Sequence, residues 1–466
     1  MNIHSKEIIQ FLDENFNEKK CYELSRKCNF IERSSSKLKG YDFIKMMIIP
    51  AEGLFTDSLK GLCKRVEQFN PEAILSSQAL CKRINDISSC LLMKAIFQNI
   101  LIEINDRITK SSKEIVDGFS GISRVLIEDS TVIQLNEVLE KFYKGTNRGG
   151  KGSKSQVKID VIHDLKDGST IDARLFRGNE PDQSLSLRIL NFAKTGDLII
   201  RDLGYFVLKS FKALSEIGAY FLSRVKASTN FFLNKEDIKP LDLGLYLKKN
   251  LQKNSKFIEI KGYVGKEKVP ARLIIYGQSK QITNQRLRMA IKNARNKSFT
   301  LSESKKLSLS YSMFITNAPE ELLSAEMVGT IYRLRWEIEL VFKRWKGQLR
   351  IDYLKGIKVE RIDCMIWSRL CTVLIIELIT KCFKEIVYQS FDLEISEVKL
   401  IQYLMRNDCF LNALKGNKLE IFFEGMEKDI KRMLLKDKRV RKTMRERVSD
   451  NESYYDTQVV NNKAVA

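Results

Sequence analysis

The chain has 466 residues, of which 44% are hydrophobic and 30% charged, with only six prolines. That is enough for about two to four domains with substantial cores, and it excludes a small disulfide module, a collagenous repeat and a mainly disordered polymer. Lys and Arg total 80 against 58 Asp and Glu, a formal charge of +22, so the expected partner is a polyanion, either nucleic acid or an anionic membrane surface.

The longest apolar run, Leu370 to Thr380, falls short of the ~20 residues that span a bilayer, and the opening MNIHSKEIIQ has no signal-peptide pattern. No membrane partner is expected. Nine cysteines with no C-x-x-C read as free thiols in a reducing cytoplasm. The two histidines, His4 and His163, supply a zinc site or a Ser-His-Asp triad poorly, so catalysis would rest on carboxylates and a hard metal.

Residues 1–115 read as helical. Within them, Asn70 to Ile102 has Ser76 or Ser77 as a helix cap and places Lys82 and Arg83 between apolar positions, a pattern open to a DNA-contacting helix-turn-helix or an ordinary bundle. From Ser123 the texture changes. Arg124 to Leu135 reads as a strand, followed by a basic Gly-rich loop from Lys144 to Ser155. Strands Gln156–His163 and Ser169–Phe176 flank a turn at Asp164–Gly168. Then come a helix near Asp182–Lys194, a buried strand Asp197–Arg201, a helix near Val207–Ile217 and a strand Ala219–Val225. The order is that of an α/β, ribonuclease H-like core, here residues 116–226.

Residues 227–319 read as a β-rich insertion, with strands Thr229–Leu233, Phe257–Val264, Val269–Tyr276 and Leu307–Thr316 around a basic helix at 281–297. The core resumes over 320–385, with a long helix from about Pro319 and an apolar helix over Val359–Phe383. Residues 386–466 form a helical, basic C-terminal region with a polar tail from Ser449. Ten Lys or Arg between Lys428 and Arg447 face three acids there, which suits a solvated helix face or a nucleic-acid clamp.

The segment Ile331 to Lys346 concentrates the chemistry. At ~100° per residue, Tyr332, Arg335, Glu339 and Lys346 share an arc of about 60°, while Ile331, Leu334, Ile338, Val341, Phe342 and Trp345 form the core-facing stripe. Glu337 projects away from both, so Glu339 is the candidate acid. A simple ladder of Glu339 with Arg335 and Lys343 also fits this pattern. Two more acids point further. Strand alternation puts Glu128 and Asp129 on opposite faces, and a buried carboxylate there needs solvent, a cation or a metal. Asp202 follows a central strand, where sites in α/β sheets gather.

Tyr332-x2-Arg335-x3-Glu339-x6-Lys346 resembles the signature of DDE transposases from bacterial insertion sequences, in the IS-four group. Asp129-Ser130-Thr131 and Asp202-Leu203-Gly204-Tyr205-Phe206 resemble that group's two aspartate motifs, and a strand with Arg224 follows the second. The resemblance implies that Asp129, Asp202 and Glu339 hold two Mg2+ ions, with Mn2+ as a substitute. It also assigns Tyr332, Arg335 and Lys346 to phosphates near the element's terminus, with Arg224 as a further phosphate ligand.

Family members stack a flipped base on an aromatic of the insertion when a hairpin end forms. Tyr311 is nearest to that place, since Trp336, Trp345 and Trp367 lie elsewhere. The implied activity is cut-and-paste transposition on double-stranded DNA, both transposon ends and target, by a homodimer assembled on DNA in the bacterial cytoplasm at the nucleoid. A ribonuclease H-like nuclease such as a junction resolvase, or a non-catalytic DNA-binding regulator, are the rival readings.

Overall fold

A computed structural model describes residues 3–31, 37–51, 53–54, 56–111, 119, 121–146, 154–225, 229–250, 257–296, 298–301, 306, 309–391, 394–406, 409–415, 418–430, 435 and 446. The centre of the expected basic loop at 144–155, most of the basic run at 428–447 and the tail from 449 lie outside them.

Nine strands form one mixed sheet. They are β1 (Val125–Gln134), β2 (Gln156–Asp164), β3 (Thr170–Arg177), β4 (Leu198–Arg201), β5 (Tyr220–Arg224), β6 (Phe231–Phe232), β7 (Phe257–Val264), β8 (Val269–Gly277) and β9 (Tyr311–Thr316). Their spatial order is β3-β2-β1-β4-β5-β9-β8-β7-β6. β2 runs antiparallel to both β1 and β3, and β4 and β5 add in parallel beside β1. β9 then pairs antiparallel with β5, so the strands of the 227–319 region continue the same sheet.

The apolar residues of these strands alternate between two cores, as a sheet covered on both faces requires. Ile127, Ile133, Val161, Ile200, Leu222 and Phe314 belong to one, and Leu126, Ile162, Ile199, Phe221, Met313 and Ile315 to the other. We call these face A and face B. On face A lies a helical layer built around Val359–Phe391, which packs on the N-terminal helix Ile87–Ser111. The Trp367 and Phe97 rings meet at 5.1 Å, and the Thr372 hydroxyl donates to the Ile48 carbonyl at 2.8 Å. Ile87–Asp106 is long and apolar enough to cross a membrane, and 56% of it is buried within the protein. Cys21, Cys28, Cys63, Cys81, Cys90, Cys364, Cys371 and Cys382 are free thiols.

Two expected helices differ, and one helix was not foreseen. The long helix placed at Pro319 begins only at Val328, because Pro319–Met327 closes two tight turns through Leu322 N–H to Pro319 C=O and Met327 N–H to Ser324 C=O. The Asp182–Lys194 helix is reduced to Asp182–Leu185 and a 3-10 turn at Arg188–Asn191, since Arg188 turns inward to the buried acids Asp160 and Asp172 instead of facing water. A helix at Leu243–Asn250 was not expected at all. At the N-terminus, Ser76 does cap the helix Ser77–Ile84 through the Ala79 amide. Of its two basic residues, Lys82 is exposed and Arg83 lies over the Phe30 ring at 4.5 Å.

Candidate active site

β1 and β4 are parallel neighbours with Glu128 opposite Arg201 in register. The next residue on each chain is an aspartate, so the pairing sets Asp129 and Asp202 side by side on face A. Glu128 and Arg201 point to face B, where both are wholly buried and ion-paired. Alternation at β1 thus sorts two consecutive carboxylates into different environments, as expected from the sequence.

The third acid comes from the helix Trp336–Gly347, which packs against β1 on face A. This helix is not continuous with Val328–Arg333. Leu334 and Arg335 form a tighter turn, in which Leu334, Arg335, Glu337 and Ile338 each donate to the carbonyl three residues back. The uniform helical wheel is therefore corrected by a short 3-10 segment, because hydrophobic spacing fits either geometry over so few residues. The four signature residues still face β1 and β4.

Arg335 is the centre of the arrangement. Its Nη1 donates to Asp129 Oδ2 at 2.9 Å, its Nη2 donates to Glu339 Oε1 at 2.9 Å, and its Nε stands 3.8 Å from Asp202 Oδ1. One guanidinium thus touches carboxylates drawn from β1, the end of β4 and a helix, the first and last lying more than 200 residues apart. The Tyr332 hydroxyl donates to Asp202 Oδ1 at 3.3 Å, and its ring packs on Phe314 at 5.1 Å. Lys346 Nζ donates to the Val132 carbonyl of β1 at 3.0 Å. Arg224 ends β5 on face A, exposed, and its charge acts on the Tyr332 phenol.

Tyr311 does not join this group. It pairs with Gly277 at the far end of β9 and packs with the face B core, whereas Phe314 and Tyr332 lie on face A. Sequence spacing missed three other residues, Trp336, Asp182 and its partner Lys158. Trp336, next to Arg335, is half-exposed with Lys343 Nζ 5.4 Å from its ring centroid. Asp182 accepts from the Ser130 hydroxyl at 3.2 Å and from Lys158 Nζ at 2.6 Å. It also crowds Gly204, where a Cβ would fall 2.9 Å from Asp182 Oδ2, so a larger residue there would have to shift the Asp182 carboxylate. The only sequence signal for Asp182 was an acid opening a short helix.

Electrostatically the group is acid-rich. Burial pushes the Asp129 carboxyl up to about 6, with Asp202 and Asp182 adding to the rise and the Ser130 amide and Arg335 opposing it. Burial also raises the Tyr332 phenol and lowers the Lys346 ammonium. Three carboxylates against one guanidinium leave surplus negative charge, and the Asp202 and Glu339 side chains are 44% and 31% exposed. These are hard oxygen donors that suit Mg2+ or Mn2+. Among the described residues no three acids, histidines or cysteines already stand at metal-binding spacing, and Arg335 lies between the three carboxylates.

The family model of the transposase DDE domain matches residues 120–375, more than half of the chain and all eight candidate residues. The chain belongs to the transposase DDE domain family. A transposase for insertion sequence element IS231F of Bacillus thuringiensis subsp. israelensis is 29% identical over 398 residues, covering 81% of each chain. A transposase for insertion sequence element IS1151 of Clostridium perfringens is 28% identical over 426 residues, covering 86% of this chain and 87% of its own. A cryo-EM structure of a piggyBac transposase synaptic complex with hairpin DNA covers 97% of this chain at 10% identity and a TM-score of 0.44, too slight a likeness to identify a fold. As a DDE transposase the chain is an enzyme of DNA cleavage and strand transfer.

Proposed function

We propose that this DDE transposase carries out cut-and-paste transposition of an insertion sequence, nicking DNA at terminal inverted repeats and joining the freed 3′ ends to target DNA. The observation that carries the reading is the convergence of Asp129, Asp202 and Glu339 on one guanidinium on face A, where β4 ends beside β1. In this reading the fold is ribonuclease H-like. Its support is the antiparallel β1-β2-β3 set with β4 and β5 added in parallel, and the 227–319 region is an insertion that extends the sheet.

Asp129, Asp202 and Glu339 would hold divalent cations, two Mg2+ ions by the family's pattern. When bound, such ions supply Lewis acidity at the scissile phosphate. The chain's own side chains do the rest. The Tyr332 hydroxyl, already turned to Asp202, orients that carboxylate and faces incoming phosphate. Arg335 offers a planar fork that matches a phosphate bidentately. Lys346 and Arg224 add positive charge on either side of the acids. Trp336 presents an aromatic face beside Arg335 on which an unpaired base can stack, a placement that Tyr311 on face B lacks. The DNA is held by two copies of the chain, and the basic helix Lys280–Asn296, with the basic segments at 144–155 and 428–447, supplies salt-sensitive phosphate contacts. The site of action is the bacterial cytoplasm.

The test is to replace Asp129 or Asp202 by Asn, or Glu339 by Gln, and assay Mg2+-dependent cleavage of DNA carrying the element's ends. Each variant should lose at least about 1,000-fold, roughly 4 kcal/mol of barrier, while still binding the repeat. A variant that cuts at the parent's rate would contradict the assignment.

A further inference from the structure

Arg335 is in ion-pair contact with all three proposed metal ligands, at Asp129 Oδ2, Glu339 Oε1 and Asp202 Oδ1. Among the described residues it is the only cation in ion-pair contact with any of the three. Its side chain is 17% exposed and held among the three carboxylates. The tight turn at Leu334–Arg335 sets this position, since it delivers the side chain between the strand ends and the first turn of the Glu339 helix.

Two positive centres cannot share one carboxylate oxygen at close range without strong repulsion in a partly buried site. A divalent cation bonds oxygen at ~2.0–2.6 Å, closer than the guanidinium does, so a cation held by these three carboxylates competes with the arginine for them. A displaced guanidinium needs a new anion, and a DNA phosphate at this edge matches its fork.

We propose that Arg335 is a resident counter-ion of the acid cluster that competes with divalent cations, and that its transfer to a DNA phosphate couples binding of a transposon end to metal loading. The inference rests on the reading of Asp129, Asp202 and Glu339 as metal ligands. It gives Arg335 two partners in sequence: the carboxylates in the DNA-free protein, and a phosphate in the loaded complex. Metal loading is then weak until DNA arrives, which protects the cell's DNA from an unbound enzyme.

The experiment is a Mn2+ titration of the full chain, with free Mn2+ read by electron paramagnetic resonance. It is run without DNA and with a short duplex of the element's terminal repeat. Without DNA, Arg335→Gln should bind Mn2+ at least tenfold more tightly than the parent. The duplex should tighten Mn2+ binding by the parent at least tenfold and by Arg335→Gln less than threefold. If Arg335→Gln lacks a cooperative thermal melt, Arg335→Lys takes its place. It keeps the charge but not the fork, and should show a smaller gain of about threefold. Mn2+ affinity that is unchanged or weakened in the DNA-free variant overturns the inference. The Asp202→Asn change is made in both backgrounds to separate the two claims. If it leaves Mn2+ binding intact in both, the ligand assignment has failed. If it abolishes binding while Arg335→Gln gives no gain, the ligand assignment stands and the counter-ion role is wrong.

Discussion

On face B of the sheet, Glu128 and Arg201 are wholly buried, and Arg201 makes further bonds to the Ser186 carbonyl at 2.6 Å and the Ser210 hydroxyl at 2.7 Å. One residue along each strand, on face A, Asp129 and Asp202 share Arg335 with Glu339 and remain partly exposed. Both faces use carboxylates and arginine, yet they are built for different ends. The face B pair sits at a register point between β1 and β4, with Arg188, Asp160 and Tyr205 sealing it from water. It fixes the alignment of the two strands. The face A group instead meets solvent, with the Asp202 and Glu339 side chains 44% and 31% exposed. The comparison teaches that a functional acid cluster is marked less by its residue types than by how far its carboxylates remain open to solvent.

The largest expected effect lies on the sealed face. Arg201→Ala leaves Glu128 buried without its main cation and should cost about 3–5 kcal/mol in urea denaturation, whereas the paired change of Glu128 and Arg201 to Met should recover most of that loss. If the single variant costs under about 1 kcal/mol, the pair does not hold the strands, and the contrast between the faces breaks down.

A second carboxyl tests whether sealing can also occur on face A. Glu377 of the long helix accepts from the Thr170 amide and hydroxyl, both at 3.1 Å, and burial pushes its carboxyl up to about 8. The folded protein therefore holds a proton that the unfolded chain releases near pH 4.5. The linked stability is fully present below that pH and is lost as pH rises toward 8, by up to about 1.4 kcal/mol per pH unit. Glu377→Gln should flatten this part of the stability profile between pH 5 and 8. An identical slope in parent and variant would show that the group is not protonated in the fold.

The smallest effect is expected at Lys346, whose ammonium is held by one backbone carbonyl. Lys346→Met should weaken DNA binding and reduce the slope of log K against log salt by about 1, with little change in melting temperature. An unchanged salt slope would remove Lys346 from the phosphate-binding set and narrow the open face to Arg335, Tyr332 and Arg224.

Local rules carried the sequence reading where the chemistry is local. Period-two alternation separated Glu128 from Asp129, the end of an apolar run located Asp202, and helical spacing chose Glu339 over Glu337. The helical wheel erred at Leu334–Arg335, since three residues of 3-10 geometry change the angles without changing which residues are apolar. Arg188 misled the reading of Asp182–Lys194, because a cation in an amphipathic pattern looks solvent-facing when its buried partners, Asp160 and Asp172, lie on other strands. The Asp182–Lys158 pair and the convergence on Arg335 depend on strand order, which no local pattern encodes. Tyr311 was placed by its distance along the chain, and the pleat of β9 sent it to the other face.

The account stands on Asp129, Asp202 and Glu339 forming one cation site, and iron-directed hydroxyl-radical cleavage of the protein tests that most directly. With Fe2+ replacing Mg2+ in the complex with repeat DNA, backbone cuts should cluster in three places: near residues 129, 202 and 339. Excess Mg2+ should suppress all three sets together, and Asp202→Asn should abolish them. Cuts confined to one segment, or a pattern that Asp202→Asn leaves intact, would contradict the claim that these three acids hold a common ion.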